Sequence, residues 1–229
     1  MYTNKELEEI YDDRYSAKES AINQREVVLY RKLQKILLPD SFTRQSISNL
    51  DLGCGRGHNT DIRAFFTEGF GRVLAVDLSQ NVIEHCKQFY KDKENIEFKA
   101  GDAMVIEERF NLITAFGFSL FNTSDNDLFL ENVKGFESRN LIQGGKAITI
   151  IGSFTDFSGN GADSWYMHTK EDLSYIQSNL EANGSSVHIV FPHKIGTNYF
   201  GAGFYNFAAE LIKLIVKKRR TFFIVIEHG

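Results

Sequence analysis

Cysteine, proline and tryptophan are scarce in this 229-residue chain: two, two and one. Cys54 and Cys86 are too few and too far apart in sequence for a zinc site or a disulfide framework. With only two prolines and short connections between its periodic segments, the chain offers no linker, so a single domain over 1–229 is expected. No apolar run approaches the roughly 18 residues that would span a bilayer. Met1 to Ile10 is polar and acidic, unlike a secretory signal. A cytoplasmic protein with no membrane partner is the expectation. Strong charge of one sign is missing too: the net charge of -4 sets up no field that would attract nucleic acid. The one dense basic run, Lys217-Lys218-Arg219-Arg220, reads as a solvated helix end or as a phosphate contact.

What is present alternates between two periodicities. Apolar strands are predicted at 47–52, 73–77, 96–99, 111–116, 146–151, 186–192 and 222–227. Between them, helical spacing predicts helices over 58–67, from a Ser79 cap towards Tyr90, over 125–141, over 169–182 and over 204–218. A further helix over 23–38 precedes the first strand and stops at Pro39. Strand–helix alternation of this kind predicts an α/β fold: a Rossmann-like doubly wound sheet, mostly parallel, with helices on both faces. The 1–45 segment is an amino-terminal helical cap, 46–151 the ligand-binding core, and 152–229 the substrate-side elements with an antiparallel last strand.

The segment Leu50-Asp51-Leu52-Gly53-Cys54-Gly55-Arg56-Gly57 is the most specific in the chain. An apolar strand ends near an acid, and three alternating glycines let the backbone approach a ligand where a Cβ would collide. Asp77 follows twenty residues after Gly57, at the end of the second strand, the spacing of an acid that meets a ribose. Dinucleotide sites place a pyrophosphate at such a loop. Asp51 would repel it, but suits a ligand that carries an ammonium group and no phosphate. Cys54, inside the loop, reads as a small space-filler.

The pattern resembles the class I S-adenosylmethionine (SAM)-dependent methyltransferases, small-molecule type, whose first motif is an acid followed by Gly-x-Gly-x-Gly. Ala75-Val76-Asp77-Leu78-Ser79 is similar to the second motif, whose acid holds the ribose hydroxyls. Gly101-Asp102-Ala103 resembles the third, in which the acid accepts from the adenine amino group and the next amide reads a ring nitrogen. Phe110 to Phe116 resembles the fourth, and Leu141-Ile142-Gln143-Gly144-Gly145-Lys146 the turn before strand five. The resemblance implies SAM as cofactor, S-adenosylhomocysteine as product and no metal. The cofactor residues it implies are Asp51, Gly53, Cys54, Gly55, Gly57, Asp77, Leu78, Asp102, Ala103 and Phe116, with Arg25 for the methionine carboxylate. The alternative for Asp77 and Asp102 is that they cap the helix or turn that follows them. Asp125 and Asp127 fit a helix cap better than a metal site.

Ligands of open parallel sheets lie beyond the carboxyl ends of the strands. The segments leaving those ends put Phe118, Phe121, Trp165, Tyr166 and Tyr199 forward as substrate residues, and a 152–165 loop as a lid. An aromatic, dry pocket suits methyl transfer, in which the charge of a sulfonium is dispersed; a core or a dimer interface suits the same aromatics. His168 is the candidate general base, although a loop histidine without that role fits as well. The function expected is methyl transfer to an oxygen or nitrogen of a small molecule by in-line displacement, in a monomer or homodimer. The alternatives are an RNA or protein methyltransferase, or a SAM-binding module without catalysis.

Overall fold

The computed structural model describes residues 47–55, 71–155, 166–191 and 220–229. Its strands are β1 (Ser48–Leu52), β2 (Arg72–Asp77), β3 (Ile96–Ala100), β4 (Leu112–Phe116), β5 (Ala147–Thr155), β6 (Ser186–Val190) and β7 (Arg220–His228). They form a seven-stranded sheet in the order β3-β2-β1-β4-β5-β7-β6. β1 pairs in parallel with β2 and with β4, and β2 with β3. β7 runs antiparallel to β5 and to β6, the predicted antiparallel last strand. Because β2 and β4 flank β1 on opposite sides, the chain reverses its direction of travel across the sheet at β1. That is the topological switch point at which open α/β sheets bind ligands.

Each described helix starts where a side chain satisfies orphan backbone donors. Ser79 caps α1 (Gln80–Phe89) by accepting from the Val82 N–H at 3.2 Å. Asp125 caps α2 (Asn126–Asn140), accepting from Asp127 and Leu128 at 3.0 Å each. Thr169 and Asp172 form a reciprocal capping box on α3 (Lys170–Glu181). All three caps lie at or next to the predicted helix starts.

The chain falls into two compact units, one running to Ala115 and the other from Phe116. In the first, the apolar faces of β1, β2 and β4 bury Leu50, Leu52, Leu74, Val76 and Ile113, while Cys54, Val82, Ile83, Cys86, Tyr90 and Phe98 cluster around Ala75. In the second, Phe129, Val133 and Phe136 of α2, Ile148 and Ile150 of β5, and Phe222, Ile224 and Ile226 of β7 are buried.

One boundary differs from expectation. The strand predicted to stop at Ile151 continues to Thr155, paired with β7 through Gly152↔Phe223, Ser153↔Phe222, Phe154↔Thr221 and Thr155↔Arg220. Glycine ordinarily weakens a strand, but at 152 it admits close-packed rings. A Cβ there would lie 3.0 Å from Phe223 Cε1 and inside contact distance of the Phe116 ring. The helices predicted over 23–38, 58–67 and 204–218, and the rest of the 1–45 cap, lie outside the described residues.

Candidate functional site

The glycine loop leaves β1 at Leu52 and is tied to the end of β2 by its own backbone. The N–H groups of Gly53 and Cys54 both donate to the Val76 carbonyl, at 2.9 and 3.0 Å. The next donor, the Gly55 N–H, goes to Asp77 Oδ2 at 2.9 Å. Gly53 and Gly55 have φ of 67° and 54°, left-handed values that glycine adopts without strain. The loop therefore needs glycine at both positions, and three consecutive backbone donors are directed at β2. A pyrophosphate at such a turn depends on backbone N–H groups facing it.

Asp77 is half-buried and holds two elements at once: Oδ2 accepts from Gly55, and Oδ1 accepts from the Ser79 N–H at 3.0 Å. Its capping role is thus real, and it also fixes the plane of a carboxylate that retains exposed surface. Leu78 beside it is half-buried as well. Asp102 follows β3 and begins a short 3₁₀ turn (Ala103–Val105), accepting from the Met104 N–H at 2.8 Å. Ala103 is buried, while Asp102 keeps partial exposure.

Asp51 is fully buried at the end of β1 and accepts from the Thr114 hydroxyl at 3.0 Å. Cys54 is buried, as a space-filler would be, but it also takes part in polar contacts. The Sγ atoms of Cys54 and Cys86 lie 3.5 and 3.4 Å from the Gly55 carbonyl, so α1 braces the loop from beneath. The hydrogen bond with Cys86, then burial, then the Asp77 and Asp51 carboxylates raise the Cys54 thiol pKa well above its ordinary value. The Cys54 thiol is thus held as a protonated donor, not a nucleophile. Cys86, Thr114 and Asn49 were missed by sequence reasoning. The available signal was a polar residue at a buried position within an apolar strand, as in Asn49-Leu50-Asp51 and Ile113-Thr114-Ala115.

In the second unit Phe116, a candidate cofactor residue, and the described candidate substrate residues are largely packed. Phe116 is half-buried and meets Phe223 edge-on, ring centroids 5.2 Å apart. Phe121 is buried among Phe118, Phe129 and Phe136, so it is a core residue and not a pocket wall. Phe118 packs against Phe121 and Phe136 and stays half-buried. Tyr166 is half-buried; its N–H donates to Asn122 Oδ1 at 2.6 Å, and its hydroxyl donates to Asp172 Oδ2 at 2.7 Å. Burial and then the Asp172 bond push the Tyr166 phenol up to about 12. Burial also pushes the Asp172 carboxyl up. Bonds from Thr169, Asn126 and Tyr166 outweigh that and hold it at about 2.

His168 was expected on a loop facing substrate. It is instead completely buried, its ring edge-on to Phe129, Tyr166 and Phe222 at 5.0 to 5.7 Å. Burial lowers its pKa to about 4 against the opposing pull of Asp172, so the ring is neutral at physiological pH. A general base must reach the proton it removes, and a side chain with no exposed surface is a core residue in this arrangement. Arg25, Gly57, Trp165 and Tyr199 lie outside the described residues. Asp125 caps α2 as noted, Asp127 accepts from the Tyr175 hydroxyl at 2.6 Å, and no metal-binding group of three or more ligands occurs among the described residues. No helix among them is long and apolar enough to cross a membrane.

Residues 50–136 match the model of a methyltransferase domain. The mRNA cap guanine-N(7) methyltransferase of Candida glabrata is 30% identical over 101 residues, which are 42% of this chain and 24% of that protein. A demethylmenaquinone methyltransferase of Lactococcus lactis subsp. lactis is 34% identical over 109 residues, 45% of this chain and 41% of the relative. The chain thus spans less than half the length of either. The magnesium protoporphyrin IX methyltransferase of Synechocystis, solved with bound SAM, superposes with a TM-score of 0.62 at 11% identity, over 100% of this chain and 99% of that one.

Proposed function

We propose that this chain, which has the fold of the class I SAM-dependent methyltransferases and matches a methyltransferase-domain model over residues 50–136, transfers a methyl group from SAM to an oxygen or nitrogen of a small molecule. The observation that carries this reading is the direction of the loop donors. Gly53, Cys54 and Gly55 spend their N–H groups on Val76 and Asp77, and two carboxylates, Asp51 and Asp77, stand beside them. The described donors of the turn, at residues 53–55, are all taken, and the two carboxylates favour a cation over an anion there. Among adenosine-bearing ligands, one with an ammonium and no phosphate fits.

In this reading Asp77 receives the ribose hydroxyls, and the buried charge of Asp51 favours the ammonium group from beneath the loop without touching it. Asp102 accepts from the adenine amino group, and the Ala103 amide faces the ring. The bound cofactor supplies a methyl group activated on a sulfonium, which an acceptor attacks in line. The backbone ties of the loop and the two-point anchoring of Asp77 hold these groups ready, so that binding costs little reorganisation. An amine arriving neutral needs no base before transfer, which accords with a buried His168. Small-molecule acceptors named for two of the similar proteins, demethylmenaquinone and magnesium protoporphyrin IX, support that substrate class. The net charge of -4 gives no support to an RNA substrate of the kind the cap methyltransferase acts on.

Calorimetry with SAM, followed by incubation of the protein with labelled methyl donor and fractionated metabolites, tests the reading. Binding and label in an extractable small molecule are expected. Folded protein that does not bind SAM refutes the reading, and label recovered only in RNA or protein refutes the acceptor class.

A further inference from the structure

Three side chains of the second unit, none of them among the residues proposed for the cofactor, bond in series. Ser185 follows Gly184 in the turn between α3 and β6, His228 ends β7, and Glu137 lies on α2. Ser185 Oγ is 3.3 Å from His228 Nδ1, and His228 Nε2 is 3.0 Å from Glu137 Oε1. The group sits at the amino end of β5, where Ala147 pairs with His228, whereas ligands of open α/β sheets bind beyond the carboxyl ends of the strands. Ser185 is half-buried between exposed neighbours, Gly184 and Ser186. Gly184 has a φ of 88°, and a Cβ built there would meet nothing within 4 Å, so the turn before Ser185 is open to an incoming molecule. The His228 and Glu137 side chains keep 28% and 12% exposure.

The bonding fixes the part each ring nitrogen plays. A carboxylate only accepts, so Nε2 carries the proton that faces Glu137. In the neutral ring Nδ1 is then the acceptor, and the Ser185 hydroxyl donates to it. A nucleophile is thus held by a base that a third group orients, the arrangement that activates serine for covalent catalysis. Unrelated folds assemble it in different chain orders, and geometry and roles identify it. The Ser185–His228 separation of 3.3 Å falls in the looser range such pairs show without substrate. The bond to Glu137 also raises the histidine pKa against the opposing effect of burial, which makes the ring a stronger base. The His228–Glu137 pair alone ties α2 to β7, and the serine is additional to that tie. Glu137, and Glu227 next to His228 in the chain, disfavour an anion here, so an uncharged carboxylic ester fits better than a phosphate ester.

We propose that Ser185, His228 and Glu137 form a second site, which hydrolyses small uncharged carboxylic esters. Ser185 Oγ bonds to the ester carbonyl carbon while its proton passes to His228 Nδ1. The carbon–oxygen bond to the alcohol then breaks, and the alcohol leaves with the proton from Nδ1. Water attacks the acyl-serine, giving a proton to the same nitrogen; the carboxylic acid leaves and Ser185 regains its proton. Glu137 stabilises the imidazolium formed in each half and keeps Nδ1 turned to the serine. The reaction uses only these side chains and water, so it is independent of methyl transfer.

Release of p-nitrophenolate from p-nitrophenyl acetate by the full chain tests this, at about pH 8.5, roughly two units above the ordinary histidine pKa. Wild-type protein is expected to release it at least about tenfold faster than Ser185→Ala. His228→Gln is expected to fall to the Ser185→Ala rate, since a positioned base contributes about 100-fold or more. Glu137→Gln, which keeps the size and loses the charge, is expected to fall between them. A fluorophosphonate, which leaves a stable adduct on an activated serine, is expected to label Ser185 in the wild type and not in His228→Gln, as read by peptide mass spectrometry. Ser185→Ala removes only the hydroxyl of a half-buried turn residue, so that comparison stands even where His228→Gln folds poorly. Equal release by wild type and Ser185→Ala overturns the site, as does fluorophosphonate labelling that spares Ser185. Unchanged release by folded His228→Gln overturns the role of the histidine and with it the proposal.

Discussion

Replacing Asp77 separates its service to the fold from its service to the ligand. Alanine removes the acceptor of two backbone donors, the Gly55 and Ser79 N–H groups at 2.9 and 3.0 Å, and both residues are buried. An orphaned buried donor costs about 1–3 kcal/mol. Local relaxation keeps two of them nearer about 2–3 kcal/mol than the full sum. For a chain of this size each kcal/mol moves Tm by about 2–4 °C, so Asp77→Ala is expected to melt roughly 4–12 °C lower. Asparagine keeps one acceptor oxygen and turns its amide nitrogen to the other donor, for a smaller loss. The ligand responds differently. If the ribose hydroxyls donate to this carboxylate, the neutral amide gives up a charge-assisted bond worth about 1.5–3 kcal/mol, or about 10- to 100-fold in Kd for SAM. Calorimetry well below the lowest Tm of the series reads that change on folded protein. An Asn variant that melts lower yet binds SAM within about twofold of wild type would show that Asp77 only braces the loop, and the ribose assignment would fall.

Three further outcomes follow from packing and charge. Gly152→Ala places a Cβ 3.0 Å from Phe223 Cε1 and closer still to the Phe116 ring, so it should cost about 1–3 kcal/mol by overpacking; recovery of Tm in the Gly152→Ala, Phe116→Leu double variant checks the cause, and an unchanged single variant refutes it. His228 lies 3.0 Å from Glu137, and that bond raises its pKa against the opposing effect of burial. Its contribution is complete below the unfolded value of about 6.5 and is lost as pH rises through the folded one; the gap in urea midpoint between wild type and His228→Gln should therefore narrow from pH 6 to pH 9, and a widening gap contradicts the assignment. Asp172, held at about 2 by its hydrogen bonds despite burial, contributes stability above its unfolded pKa of about 4 that fades as pH falls towards 2. Asp172→Ala should lose about 1 kcal/mol at neutral pH, the worth of a cap on a part-exposed group, and converge with wild type below pH 2 in acid denaturation; persistence of the difference there rules out the charge as its source.

Local chemistry was legible in the sequence because its causes are local. Ser79 and Thr169 announce helix starts through the donors they satisfy, and the apolar runs at 48–52 and 72–77 are strands because β-branched and leucine side chains suit a buried sheet. The misjudged positions all depend on neighbours distant in the chain. Gly152 reads as the end of a strand until Phe116 and Phe223 are seen to require its missing side chain. His168 reads as a loop residue until Phe129 of α2 and Phe222 of β7 enclose it. Phe121 reads as pocket lining, yet α2 supplies two rings that make it core. Thr114 reads as an ordinary strand former, and only the register with Asp51 shows what its hydroxyl does.

The glycine motif illustrates how far a sequence signal reaches before geometry must decide. Three alternating glycines are compatible with a loop that turns its N–H groups outward to a phosphate or inward to the next strand, since both need left-handed backbone at the same residues. The outcome turns on where the acceptors stand. Here the Val76 carbonyl takes two donors and Asp77 the third, so β2 claims the N–H groups of residues 53–55. The acid at the end of β2 therefore has a consequence apart from the ribose role proposed for it: it withdraws the Gly55 N–H from any phosphate. The buried charge of Asp51 and the inward turn of the described donors point the same way. Each disfavours a pyrophosphate on physical grounds, so under the proposed function the two acids and the loop act as one selection.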